Sequence, residues 1–132
     1  GFMKILPPYF IKLYNEKIIN IHPSLLPKYK GLNTHKRVIL NGEKFTGCTV
    51  HFVNRYLDSG NIIFQKKVRI TKKDNAKSIE KKVLNVEHKI YPKVIEKILS
   101  NPWKKNLFLS LHFLCCQIHE QNFYQLKFQI LF

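Results

Sequence analysis

The chain has 132 residues, enough for one small domain with its own core, and is 45% hydrophobic and 23% charged, which excludes a disordered tail. Its 23 basic residues outnumber 8 acidic ones for a net charge of +15, and apart from Arg37, Arg55 and Arg69 the basic residues are all lysines. Three cysteines (Cys48, Cys115, Cys116) cannot close a disulfide framework, the longest near-continuous apolar run (107–116) is far short of the ~20 residues of a membrane helix, and residues 1–10 lack signal-peptide features. Reduced thiols, a cytoplasmic setting and no membrane partner are the expectations.

Pro7-Pro8 followed by Tyr9 to Tyr14 predicts a short helix, with proline tolerated in its first turn. Lys17 to Ile21 is apolar and β-branched, a buried strand that stops at His22-Pro23; the loop from Ser24 to Leu32 carries Pro27 and Gly31. Thr34 to Leu40 reads as a helix halted by Asn41-Gly42. Thr46 to Val53 is extended, with Val50 and Phe52 on one face, and Ile62, Phe64, Val68 and Ile70 share the parity of a further strand. Between these two segments Asn54 to Gly60 forms a polar loop closing in Asp58-Ser59-Gly60. Asp74 is the expected cap of an amphipathic helix in which Ile79, Val83, Val86, Ile90, Val94 and Ile98 recur every three or four residues; Pro92 should kink or break it. There is no internal repeat. Residues 1–100 and 101–132 differ in character, the second being a hydrophobic and basic tail that is either a terminal helix packed on the body or unselected coding past a lost stop.

A lysine excess attracts phosphates of RNA or of a small anionic substrate. The chain is, however, rich in Lys, Asn, Ile and Phe and poor in Arg, Gly and Ala, the signature of an AT-rich coding bias. Its lysines are scattered and lack the interleaved aromatics of single-strand binders, so compositional drift is the preferred account and nucleic acid is not the expected partner.

Asn20-Ile21-His22 carries the chemistry. Residues two apart on a strand point to one side, and Pro23 keeps His22 extended, so the Asn20 amide and the His22 imidazole project together. An amide N–H can stabilise a developing oxyanion, and an imidazole can hold or move a proton near neutral pH. A carboxylate completes such a set, and Asp58 in the polar loop is the candidate. Taken singly these features are weak: a strand-end His before Pro is more often structural, and Asp-Ser-Gly is more often a turn. His51 falls within a strand, His35 and His88 within helices, and His112 and His119 in the tail. No His, Cys or carboxylate spacing suggests a metal site.

Together, GFMKIL (1–6), NIHPSLLPKYKGLNTH (20–35), GCTVHFV (47–53), LDSG (57–60) and EHKIYP (87–92) resemble, in order and spacing, the carboxyl-terminal part of the phosphoribosylglycinamide formyltransferase family. The GLNTH stretch resembles that branch rather than the methionyl-tRNA branch, and HPSLLP sets it apart from formyltetrahydrofolate hydrolases. The resemblance implies a Rossmann-like α/β fold, truncated at the amino end because the glycine-rich phosphate loop and first strands are not matched. It implies transfer of a formyl group from 10-formyltetrahydrofolate to the amine of glycinamide ribonucleotide, without a metal. By position it makes Asn20, His22 and Asp58 catalytic. Met3, Lys4, Ile5 and Leu6, with Asn54, Arg55, Tyr56 and Leu57, become folate contacts, and Glu87 an acidic contact on the amine side of the nucleotide. A separate amino-terminal half is an implied partner. Asn33 stands where the family often has histidine. The competing expectations are a related enzyme with water or aminoacyl-tRNA as acceptor, and an inactive basic nucleic-acid-binding remnant.

Overall fold

The computed structural model describes residues 6–14 and 17–100, together with the backbone of 130–131. The expectations for Met3, Lys4, Ile5, Cys115, Cys116 and most of the tail lie outside the described residues.

Pro7 is the N-cap of α1 (Pro8–Leu13), so the missing N–H of Pro8 falls in the first turn, where no intrahelical partner exists for it. Strand β1 (Ile18–His22) follows, then α2 (Thr34–Leu40), whose boundaries are those expected. Asn33 caps α2 in the left-handed region, which asparagine tolerates better than most residues, and Gly42 (φ +61°) closes its far end by donating to the carbonyl of Ile39. Strands β2 (Phe45–Phe52) and β3 (Ile62–Arg69), helix α3 (Ala76–Leu99) and the short β4 (Ile130–Leu131) complete the order. The expected mixture of strands and helices is present; the four strands lie in the order β3-β2-β1-β4, and every pair is antiparallel.

The register of β1 on β2 sorts the sheet into two chemically different faces. Ile19 faces Phe52 and Ile21 faces Val50 on one side; Asn20 faces His51 and His22 faces Thr49 on the other. The apolar side packs under α3, where Ile19, Ile21, Cys48, Val50, Ile79, Val83, Tyr91 and Val94 form one buried cluster. Each such aliphatic side chain contributes about 1.5–3 kcal/mol by leaving water. The opposite, polar side is the one that matters for chemistry.

Two expectations are corrected in detail. Val50 pairs with Phe64 and His51 with Ile62, so Ile63 is an extra residue in β3 and the strand bulges there. The bulge breaks the parity shared by Ile62, Phe64, Val68 and Ile70: Ile63 packs on the core, whereas Ile62 and Phe64 remain 49% and 41% exposed. The cap of α3 is Asn75, not Asp74. Asn75 Oδ1 accepts from Ser78 N at 3.0 Å while Ser78 Oγ accepts from Asn75 N at 3.0 Å, a reciprocal capping box. Asp74 instead ties the preceding turn, accepting from Thr71 N and Thr71 Oγ1 at 2.8 Å each, and pairs with Lys82 at 2.7 Å. Helix α3 runs through Pro92 without interruption, held on both sides by buried Tyr91 and Val94. Among the described residues no helix is long and apolar enough to cross a membrane.

Candidate active site

The end of β1, the loop after it and the 53–61 loop converge on the polar face. His22 is buried at 6% exposure, and its two ring nitrogens are both engaged: Nδ1 lies 3.3 Å from Asp58 Oδ2, and Nε2 lies 2.8 Å from the carbonyl oxygen of Tyr29. Both partners are oxygens that only accept, so the doubly protonated ring is the form that satisfies both contacts.

Asp58 reaches this position because its loop is wound tightly. Asn54 Oδ1 accepts from Tyr56 N at 2.9 Å and Asn54 Nδ2 donates to the carbonyl of Ser59 at 3.1 Å, an Asx-type closure. Asp58 itself adopts φ +45°, in the left-handed region. Gly60 has no room for a side chain, since a Cβ there would collide with the carbonyl of Phe52. The Asp58 carboxylate then accepts from the backbone N–H of Gly31 at 2.8 Å, and Lys30 Nζ donates to Ser59 Oγ at 2.6 Å, so the two loops hold each other. Beneath them Thr49 Oγ1 donates to the carbonyl of Ser24 at 2.7 Å and accepts from Leu26 N at 3.1 Å, fastening the first loop to β2.

Asn20 joins the group through His51, a strand histidine outside the expected catalytic set. Asn20 Nδ2 lies 3.3 Å from His51 Nε2, and His51 Nδ1 lies 2.7 Å from the carbonyl of Phe52. Burial, the largest influence, pushes the His51 imidazole below its ordinary pKa, against the opposing pulls of the Phe52 carbonyl and Asp58. The neutral ring therefore carries its proton on Nδ1 and accepts from Asn20 at Nε2, which orients the amide and leaves its second N–H available. His51 Nε2 also lies 3.8 Å from Asp58 Oδ1, so one carboxylate stands between two imidazoles. The parity of Val50 and Phe52 puts His51 on the opposite face of β2, and the pairing of β2 with β1 then sets it beside Asn20.

Asn20, His22 and Asp58 are thus brought together. Asn54 is spent on shaping its own loop, while Tyr56 and Leu57 are 59% and 60% exposed beside Asp58, with the Arg55 guanidinium 4.7 Å from the Tyr56 ring centroid. Leu6 is half-buried just ahead of α1. Glu87 is buried in the line of α3 that approaches the sheet from its apolar side, and its charge adds to the burial that pushes the Cys48 thiol up to about 12. Among the described residues no group of His, Cys, Asp and Glu is arranged to hold a metal ion.

An amide donor, an imidazole held at both nitrogens and a carboxylate in one part-buried cluster can stabilise an oxyanion and carry a proton, as acyl transfer to an amine requires. Known proteins point the same way. The formyl transferase family pattern matches residues 1–95. The phosphoribosylglycinamide formyltransferase of Haemophilus influenzae is 50% identical over 96 residues, covering 73% of this chain and 45% of that protein. The Escherichia coli protein of the same name is 48% identical over 95 residues, covering 72% of this chain and 45% of that one, and the human trifunctional purine biosynthetic protein adenosine-3 is 43% identical over 100 residues, covering 76% of this chain and 10% of that protein. The crystal structure of the enzyme from Anaplasma phagocytophilum superposes with a TM-score of 0.73 at 47% identity, covering 74% of this chain and 48% of that one. The Bacillus halodurans structure gives 0.73 at 39% identity, covering 76% and 52%. The chain therefore spans about half the length of the bacterial relatives it matches. With this fold, this cluster and a match over most of its length, the chain belongs to the formyl transferase family.

Proposed function

We propose that this chain carries the catalytic residues of a phosphoribosylglycinamide formyltransferase, moving a formyl group from 10-formyltetrahydrofolate to the primary amine of glycinamide ribonucleotide in de novo purine biosynthesis. The observation that carries the reading is the position of Asp58, 3.3 Å from His22 and 3.8 Å from His51, with Asn20 bonded to that same His51.

The amine nitrogen attacks the formyl carbon and negative charge collects on the formyl oxygen. Asn20 donates its free N–H to that oxygen, and the positive charge of His22 lies close by. Asp58 supports the His22 charge and relays the proton from the attacking nitrogen to the folate nitrogen as the old carbon–nitrogen bond breaks. The transfer changes no oxidation state, so neither a metal nor a redox cofactor is invoked. Exposed Arg55, Tyr56 and Leu57, the loop-shaping Asn54, and Met3 to Leu6 are the proposed folate contacts. Glu87, on α3 at the apolar side of the sheet beside Cys48, is assigned to the amine side of the nucleotide by the family resemblance and not by the cluster around Asp58. Residues 1–100 are the formyltransferase part and 101–132 an appendage, working in the cytoplasm. The relatives are about twice the matched length, which supports an amino-terminal half, in the same polypeptide or a separate one, as the bearer of the phosphate-binding loop.

The test is a transfer assay with both substrates, run on the chain alone and on the chain mixed with the amino-terminal half of the Haemophilus influenzae relative. Formylation of the nucleotide that disappears with His22→Ala is the expected result. Full turnover with His22→Ala, or transfer to water in place of the amine, would overturn the reading.

A further inference from the structure

We propose that Tyr29 is a positioning residue for His22: its side-chain anchor on the α2–β2 turn holds its own backbone carbonyl against His22 Nε2 and so keeps that ring doubly protonated. This rests on the reading of His22 as the charged group of the site.

The geometry runs from the anchor inward. Tyr29 has φ +58°, the left-handed region that a bulky side chain rarely adopts, and this turn of the chain directs its carbonyl oxygen to His22 Nε2 at 2.8 Å. Something outside the backbone must hold that conformation, and the phenol supplies it. Tyr29 Oη donates to Glu43 Oε1 at 2.9 Å and accepts from Asn41 Nδ2 at 3.0 Å, both on the turn that joins α2 to β2. The Arg37 guanidinium lies 5.4 Å from the Tyr29 ring centroid and donates to the carbonyl of Lys30 at 2.6 Å, clamping the residue after Tyr29 to α2. Lys28 pairs with the same Glu43 oxygen at 2.9 Å, and this pairing lowers the pKa of Glu43, so Glu43 remains an acceptor at neutral pH. Glu43, Asn41 and Arg37 do not themselves bond to His22; they act through Tyr29.

A histidine with a carboxylate at one nitrogen and solvent at the other can adopt either protonation state without leaving a donor or acceptor unmet. A carbonyl at the second nitrogen changes this, because only an N–H satisfies it. Asp58 from the 53–61 loop, His51 across it on β2, and Lys30 at the rim face the same space. None of these supplies an acceptor at Nε2; Tyr29 does.

The experiment is NMR titration of the His22 ring in the 132-residue chain, with the His22 signals identified by their loss in His22→Ala. Tyr29→Phe removes only the hydroxyl and leaves the ring. The His22 midpoint is expected to fall by about half a unit or more, with faster exchange of the Nε2 proton and an unchanged far-ultraviolet spectrum. Glu43→Ala should shift it in the same direction, whereas Glu43→Gln, which keeps an acceptor for the phenol, should stay near the parent value. An unmoved midpoint in both Tyr29→Phe and Glu43→Ala would overturn the proposal, as would an equal shift in Glu43→Gln. Because this readout needs no turnover, it stands whether or not formyl transfer is detected. In any preparation that turns over, Tyr29→Phe should lower kcat several-fold at unchanged KM and move the alkaline fall of kcat to lower pH.

Discussion

Asn20 and His51 form a pair in which one residue acts on the substrate and the other acts through its neighbour. The amide has two N–H groups, and His51 Nε2, 3.3 Å away, occupies one of them. Asn20→Ala removes an oxyanion donor and should lower kcat roughly 100- to 1000-fold. His51→Ala should cost about five- to tenfold, the loss of one orienting hydrogen bond worth ~1 kcal/mol. If His51 works only through Asn20, the double variant will be no slower than Asn20→Ala alone; multiplicative losses would show that it contacts substrate itself. Cys48 provides a second check at this scale. Burial pushes its thiol up to about 12, with Glu87 adding to the effect, so the reactive thiolate is scarce at pH 8. Peptide mapping after iodoacetamide treatment should find Cys48 unmodified in the native chain and alkylated in concentrated urea. Rapid native labelling would show that α3 does not cover it.

The elements show how much local sequence could say. Helix α2 ends where expected because its stop is written in adjacent residues, Asn41-Gly42. Strand β1 was legible because a β-branched run ending in His22-Pro23 has few other conformations. What local pattern could not reveal is pairing. The bulge at Ile63 exists only relative to β2, and no parity count along β3 detects it. Likewise His51 becomes a site residue only because register sets it opposite Asn20. Glu87 and Tyr91 join the buried line of α3 that an apolar stripe through Val86 and Ile90 left out, since a charged residue is ordinarily assigned to the solvent side. The cap of α3 turned on one residue: Asp74 and Asn75 are both good caps by type, and Ser78, three residues after Asn75, decides between them. Asn75→Ala should therefore destabilise the chain by about 1 kcal/mol in urea unfolding. Ser78→Ala should cost nearly as much, and the double variant little more. A neutral Asn75→Ala would return the capping role to Asp74.

At the scale of the molecule, net charge and two buried or tethered groups set the response to pH. The Asp74 carboxyl is held well below the usual carboxylate range by Lys82, then by the Thr71 and Ser78 contacts. A depressed acid stabilises the fold above its unfolded pKa of 3.8 and loses that contribution as pH falls further. His51 acts at milder acidity and with the other chemistry. Its folded pKa lies below the ordinary 6.5, so between the two values the unfolded chain binds the extra proton and stability declines as pH falls below 6.5. The net charge of +15 deepens the loss, because each histidine that charges adds to repulsion already present. These contributions separate by salt. Repulsion among exposed lysines is screened over ~8 Å at 0.15 M and over ~3 Å at 1 M, whereas the cost of protonating an imidazole under the sheet is not. His22, held charged in the fold, contributes with the opposite sign in parent and variant alike, so the test is a comparison with His51→Gln. From pH 7.5 to pH 5 the parent midpoint should lose more ground, and added salt should recover only part of that difference. In His51→Gln the decline should be shallower, and the difference from the parent chain should persist in 1 M salt. If 1 M salt makes the parent and His51→Gln profiles coincide, surface repulsion accounts for the acid sensitivity and His51 is not held neutral by burial.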